Sequence, residues 1–362
     1  MRRRVIHVLL LASLLSTVSW SYGDCVWVAD GTAGTVSVIN PDGGNQVSTV
    51  IQLAMGAIPT EVALSPSHPH IYVTDRGRAS LWVIDSVNRV VLQEIPLRVA
   101  VPWGMAISPN GSKVYVGNAD GGATAGQIDV VNANSLGETH LIDVSSQGLT
   151  PVDLAMAMDG TRLYIACAGT DNVLAYDFGT ANLVTTGFPV ALGGPSSRPY
   201  AIAVLPDDSA IYVADDDASG ASSEVAVIDA STAALSKLSL LPGDRAVDVY
   251  ASPTSPKVYV PTGPGGSVHV IDTGAKQFTY DMFYVPAGAT PTRFAINLQG
   301  NEGAVTDPAH GWTLLFTSNS HDAVFTGVPT GSNPNGCAIA SVVTGVSQSP
   351  RKAAVCGGLK AR

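Results

Sequence analysis

Apolar and polar positions alternate along most of the chain in runs of five or six residues, broken by Gly, Pro, Asn, Asp and Ser. This is the pattern of short β-strands joined by tight turns. One run recurs: an apolar residue, an aromatic, a β-branched residue, a small residue, then an acid or amide. It appears as Val26-Trp27-Val28-Ala29-Asp30, Ile71-Tyr72-Val73-Thr74-Asp75, Val114-Tyr115-Val116-Gly117-Asn118 and Leu163-Tyr164-Ile165-Ala166-Cys167. Ile211-Tyr212-Val213-Ala214-Asp215 and Val258-Tyr259-Val260-Pro261-Thr262 follow, and Gly303-Ala304-Val305-Thr306-Asp307 is the weakest copy. With the second residue as anchor, positions 27, 72, 115, 164, 212, 259 and 304 are separated by 45, 43, 49, 48, 47 and 45 residues.

Each anchor from Tyr72 onward lies 13 residues after a proline or its stand-in: Pro59, Pro102, Pro151, Pro199, Ala246 and Pro291. Between the two come a small-apolar alternation and a turn, as in Gly104-Met105-Ala106-Ile107-Ser108 followed by Pro109-Asn110-Gly111. After the anchor come a third strand, such as Leu81-Trp82-Val83-Ile84-Asp85 or Val225-Ala226-Val227-Ile228-Asp229, and an apolar fourth. Each unit therefore predicts a four-stranded antiparallel meander. Seven such units of about 45 residues predict an all-β, seven-bladed β-propeller, in which radial packing covers both faces of each sheet. The first unit lacks its Pro segment, and Pro334-Asn335-Gly336-Cys337-Ala338-Ile339-Ala340 matches Pro102-Trp103-Gly104-Met105-Ala106-Ile107 in type and register. The C-terminal strand is therefore expected to close the ring beside residues 25–30. Residues 24–345 form the expected propeller, and 346–362 a tail.

The run Ile71-Tyr72-Val73-Thr74-Asp75 with Leu81-Trp82-Val83-Ile84-Asp85, and the Ala-Ile-Ser-Pro-Asn-Gly stretch ending at Gly111, resemble the YVTN β-propeller repeat. The resemblance spans about residues 25 to 341. It implies the propeller fold, and it includes surface-layer and periplasmic propellers, lactonases, a streptogramin-inactivating lyase and haem d1 domains. The seventh unit departs from the pattern, because Ala304 replaces the aromatic and Trp312-Thr313-Leu314-Leu315-Phe316 lacks the closing Ile-Asp.

The chain has 362 residues, is 46% hydrophobic and only 13% charged, which is a globular rather than a disordered composition. Arg2, Arg3 and Arg4 ahead of an apolar run from Val5 to Val18 read as a secretory signal peptide over 1–23. Its removal takes the formal charge from −10 to −13, since those arginines are the only formal charges it holds. With no basic stripe, a nucleic-acid partner is excluded. No later stretch has the length of a membrane span, so a secreted, periplasmic or surface protein, monomeric, is expected. Export makes disulfides admissible, and Cys25, Cys337 and Cys356 compete to staple the ring closure, whereas no CxxC or CxxCH spacing supports a metal knuckle or covalent haem.

Residue types repeated in most blades serve the fold. The acids Asp30, Asp75, Asp215 and Asp307, and the set Asp85, Asp177, Asp229 and Asp272, are expected to bond turn amides. Positions that differ from blade to blade at the channel mouth are the candidates for function. One residue after the proline lie Thr60, Trp103, Val152, Tyr200, Val247, Thr292 and Asn335; two after it lie Glu61, Gly104, Asp153, Ala201, Asp248, Arg293 and Gly336. Trp103, Tyr200 and Arg293 are therefore ligand-binding candidates. Glu61, Asp153 and Asp248 are candidates for a site holding Ca²⁺ or another divalent cation, and with Arg293 for acid/base catalysis. The loop Asp215-Asp216-Asp217 with Glu224 and the Gly-rich Asp120–Gly126 segment read as solvated loops. His68, His70, His140, His269, His310 and His321 show no chelating spacing. The leading expectation is a non-catalytic envelope protein binding a protein, glycan or small ligand at the channel mouth. The alternative is a lactonase-like hydrolase or lyase.

Overall fold

The computed structural model describes residues 25–40, 44–122, 125–193, 197–216, 223–263, 265–279, 283–297, 302–317 and 324–340. Residues 1–24, where a signal peptide is expected, the tail with Cys356, the acidic loop 217–222 and His321 lie outside them. The described residues form seven antiparallel sheets and contain no helix, hence none long and apolar enough to cross a membrane. Blade I is Pro334–Ala340, Cys25–Asp30, Thr35–Asn40 and Gln46–Gln52, so the C-terminal strand closes the ring as expected. Blade II is Pro59–Leu64, His70–Asp75, Ser80–Asp85 and Val90–Pro96; blade III is Pro102–Ile107, Lys113–Asn118, Gln127–Asn132 and Gly137–Asp143. Blades IV to VII begin at Pro151–Met156, Pro199–Val204, Tyr250–Ala251 and Phe294–Ile296. In blades IV and VI the outermost strand is split into two short pieces, each paired to the third strand.

The anchors explain the packing. Each sits opposite an inner-strand residue of matched size: Tyr72 opposite Ala63, Tyr115 opposite Ala106, Tyr164 opposite Ala155, Tyr212 opposite Ala203 and Trp27 opposite Ala338. A large ring beside a methyl fills the space between blades at constant volume. Blades VI and VII break this rule together. Blade VI pairs Tyr250 with Tyr259, and blade VII pairs Ala295 with Ala304. On the face of VII turned to blade VI, Phe294 stacks on Tyr259 at 4.7 Å between ring centroids, with Phe316 at 5.4 Å from Phe294, whereas Ala295 and Ala304 face blade I beside Val26, Val28 and Cys337. The seventh unit looked weak in sequence because its aromatics, Phe294 and Phe316, stand on the face opposite to that of the anchor Ala304.

The strand-ending acids do more than cap turns. Asp75 accepts the Ile58 amide at 2.7 Å, Asp215 that of Arg198 at 3.0 Å, Asp307 that of Thr290 at 2.9 Å and Asp30 that of Asn333 at 3.3 Å. Asn118 does the same for Val101 at 3.1 Å. Each donor is the residue before the inner-strand proline. The acid therefore fastens the mouth loop to its own blade, which is a physical reason for the invariant spacing between proline and anchor.

The third-strand acids hold turns. Asp229 accepts from the Ser231 and Thr232 hydroxyls and amides, and those bonds, led by the Ser231 hydroxyl, pull its carboxyl well below the usual range. Asp177 is lowered first by the Thr180 amide. In Asp85, burial acts to raise the pKa but is outweighed by the Asn88 and Val87 bonds. A depressed carboxyl stabilises above its unfolded pKa of about 4 and loses that contribution as pH falls through the folded value. Urea midpoints measured between about pH 6 and pH 3 should therefore fall with acid, mainly below pH 4.

The cysteine expectations are corrected in part. Cys25 is paired in the ladder with Ala340, and Cys337 with Val28. Cys337 is not in a disulfide, and its buried Sγ lies 3.8 Å from the Ala304 carbonyl oxygen. Antiparallel register carries the two cysteines along the strands away from each other, so they cannot bridge.

Candidate functional site

The residues one place after each inner-strand proline project into the channel mouth because a bulge follows the proline. In blades II, IV and V the ladder register shifts there, leaving Thr60, Val152 and Tyr200 without a partner opposite. Six of the seven, Thr60, Trp103, Tyr200, Val247, Thr292 and Asn335, line one pocket of about 120 Å³ with Arg76 and Arg293. Val152 instead packs against the core between blades IV and V. Trp103, Tyr200 and Arg293, expected to meet at one opening, therefore do so. Arg76 was missed because the acid-fastened loop places the residue after a structural Asp at the rim, and nothing marked it in sequence.

Two guanidiniums lie over aromatic rings here. Arg76 Cζ sits 5.3 Å from the Trp103 ring centroid, and Arg293 Cζ 5.7 Å from that of Tyr200. They differ in setting. Arg76 is exposed, and among the described residues no carboxylate lies within ion-pair distance of it. Arg293 is buried, with Nη1 3.6 Å from Asp248 Oδ1 and 3.5 Å from the Val247 carbonyl. Burial acts to lower its pKa, but the fields of Asp248, Tyr200, Glu61 and Asp153 overcome it and keep the group charged.

The carboxylates of Asp153 and Asp248 turn away from the pocket. Asp153 Oδ1 accepts its neighbour Leu154 N–H at 2.9 Å, and Oδ2 accepts Ile202 N–H of blade V at 2.8 Å. Asp248 repeats this with Val249 at 3.0 Å and Phe294 of blade VII at 3.1 Å. Both are blade-to-blade ties with their oxygens committed to amides. Glu61 reaches the same region through its field on Arg293 but does not line the pocket. Among the described residues, no three His, Cys, Asp or Glu side chains are placed to hold a metal ion. The mouth is therefore built from ring faces, hydroxyls, an amide and two cations. Its acids lie behind it.

Gly104 makes room for one tie. A Cβ there would stand 2.5 Å from both Asp153 Oδ1 and the Val152 carbonyl. Gly104→Ala should destabilise the fold by about 1–3 kcal/mol, read as a lowered urea midpoint at unchanged slope.

The remaining ionisable candidates serve the scaffold. Lys237 pairs with Glu224 at 2.6 Å and Asp215 at 3.4 Å, and Arg245 Nε donates to Asp216 at 3.0 Å. His269 meets Asp244 at 2.8 Å, His310 meets Asp307 at 2.6 Å, and His68 stacks on His70 at 5.4 Å.

Fold and site together define a seven-bladed β-propeller with a pocketed channel mouth. Solved structures similar to it are hydrazine synthase from Kuenenia stuttgartiensis (18% identity, TM-score 0.66, 77% of this chain and 88% of that one) and a protein of unknown function from Desulfotomaculum acetoxidans (15%, 0.71, 87% and 98%). A catalytically inactive virginiamycin B lyase from Staphylococcus aureus with quinupristin is a third (16%, 0.65, 80% and 90%). At these identities the likeness is one of fold. No protein-family model and no curated protein matches the chain.

Proposed function

We propose that this protein is an exported, non-catalytic YVTN-type propeller that binds its ligand at the channel mouth, at the cell envelope. The observation that carries the reading is the pocket lining: among the described residues its ionisable groups are Arg76, Arg293 and the Tyr200 phenol. A small pocket with ring faces and a few fixed polar groups suits recognition of a small molecule or a chain end. Hydrolysis of a lactone would ask for a carboxylate, imidazole or metal-bound water at the pocket surface. Asp153 and Asp248 instead hold neighbouring blades together. The propeller neighbours include a lyase bound to quinupristin, which keeps lyase chemistry the reading to test against.

The test is a thermal-shift and calorimetric screen of glycans, peptides and small metabolites against the wild type and Trp103→Ala. Trp103 is half-buried at the rim, so the variant should keep its melting temperature within a few degrees and lose at least about tenfold in affinity. Turnover of lactone or streptogramin substrates, lost in Asp248→Asn, would replace binding with catalysis. Export implies a staple from Cys25 to Cys356, which non-reducing peptide mapping should recover while Cys167 and Cys337 remain alkylatable after unfolding.

A further inference from the structure

We infer that the mouth pocket selects a singly charged organic anion with an apolar body, an aryl- or alkyl-carboxylate, and that Arg76 reads the carboxylate. The inference rests on the mouth being the binding site and adds the chemistry of what enters it.

Arg76 is the carrier. An exposed guanidinium normally finds a carboxylate on a protein of this acidity, yet its only ring or charge contact among the described residues is the face of Trp103. The ring holds the guanidinium at the mouth, and among the described residues no side-chain hydrogen bond or ion pair takes up its donors, which can receive a carboxylate through two parallel bonds. The ordering is done before the ligand arrives, so less side-chain entropy is lost on binding.

The rest of the pocket sets the ligand's body and charge. Val247 and the faces of Trp103 and Tyr200 offer apolar surface, and Thr60, Thr292 and Asn335 offer single hydrogen bonds. Arg293 is paired with Asp248, so among the described residues Arg76 is the lining cation left to meet a ligand's charge. A second negative charge on the ligand would find no cation of its own. One carboxylate at Arg76 is accommodated, and a dianion such as phosphate is not.

The experiment uses calorimetry on the mature protein with indole-3-acetate, its neutral amide indole-3-acetamide, cationic tryptamine and inorganic phosphate. Indole-3-acetate should bind at least about tenfold tighter than the amide, and phosphate more weakly than either. Raising salt from about 0.05 to about 0.5 M should weaken the acetate several-fold and the amide little. Arg76→Gln keeps the backbone bond from residue 76 to the Ile58 carbonyl and leaves an exposed side chain, so its melting temperature should hold while the acid-over-amide preference falls to about one. Equal or better binding of amide or amine, a preference that survives in R76Q, or no measurable binding of the acetate overturns the inference. If a glycan or peptide then binds in a Trp103-dependent way, the mouth remains the binding site and only its ligand class is wrong. If no class of ligand responds to Trp103→Ala, both readings fall.

Discussion

A chain ending at Asn333 should show no cooperative thermal transition. The lost strand, Pro334–Ala340, is the inner strand of blade I, and without it Cys25–Asp30, buried along its whole length, becomes an open edge. Cys337, Ala338 and Ile339 leave the core with it. An exposed, unpaired apolar edge invites aggregation. The expected loss is of the order of the entire stability of such a domain, about 5–15 kcal/mol, read as a non-cooperative circular dichroism melt and rapid proteolysis. The companion result separates topology from sequence. Because Ala340 lies opposite Cys25 in the ladder, a short turn can join them, giving a permuted chain that starts at Pro334 and ends at Asn333. That chain should melt within about 5 °C of the parent. A permuted chain as unstable as the truncation would mean that closure depends on more than strand pairing.

Asp248→Ala should be the most damaging single substitution at the mouth. It removes the acceptor for the Phe294 amide and leaves the buried Arg293 guanidinium without its carboxylate. Removing one partner of a buried pair costs about 3–5 kcal/mol, since the remaining charge stays desolvated. Asp153→Ala, which unties Ile202, should cost about 1–3 kcal/mol. The two urea midpoints should therefore be ordered with Asp248→Ala lower. Arg293→Met in the Asp248→Ala background should recover part of the loss, because it removes the orphaned charge. If the two aspartate variants proved equally mild and metal content fell in both, the carboxylates would be ligands and not ties.

The fold was legible because its signals are local and repeated. Tyr72 opposite Ala63 is a pair 9 residues apart, and copies of it in successive blades reinforce one another. What escaped were relations between blades. Nothing near Phe294 says that it stacks between blades, because the partner ring, Tyr259, belongs to the previous unit. The acids at the mouth were seen as a convergent set, but the direction in which each carboxylate turns depends on the amide of the next blade. Trp103, Tyr200 and Arg293 were placed correctly because their position after the proline is fixed by the repeat itself. Arg76 follows a residue that repeats in most blades, and discounting the repeat concealed its neighbour.

The fastening of each mouth loop by the acid of its own second strand has a consequence for how the protein can change. Length differences between units, from 43 to 49 residues, lie outside the span from proline to anchor, which stays at 13. Insertions, such as the one between Asn118 and Gln127, and split strands are thus absorbed outside that span, while the backbones that deliver side chains to the axis keep one geometry. The opening behaves as a panel of six interchangeable positions. Its chemistry can be rewritten by point substitution alone, with the surrounding architecture indifferent to which residue each blade presents.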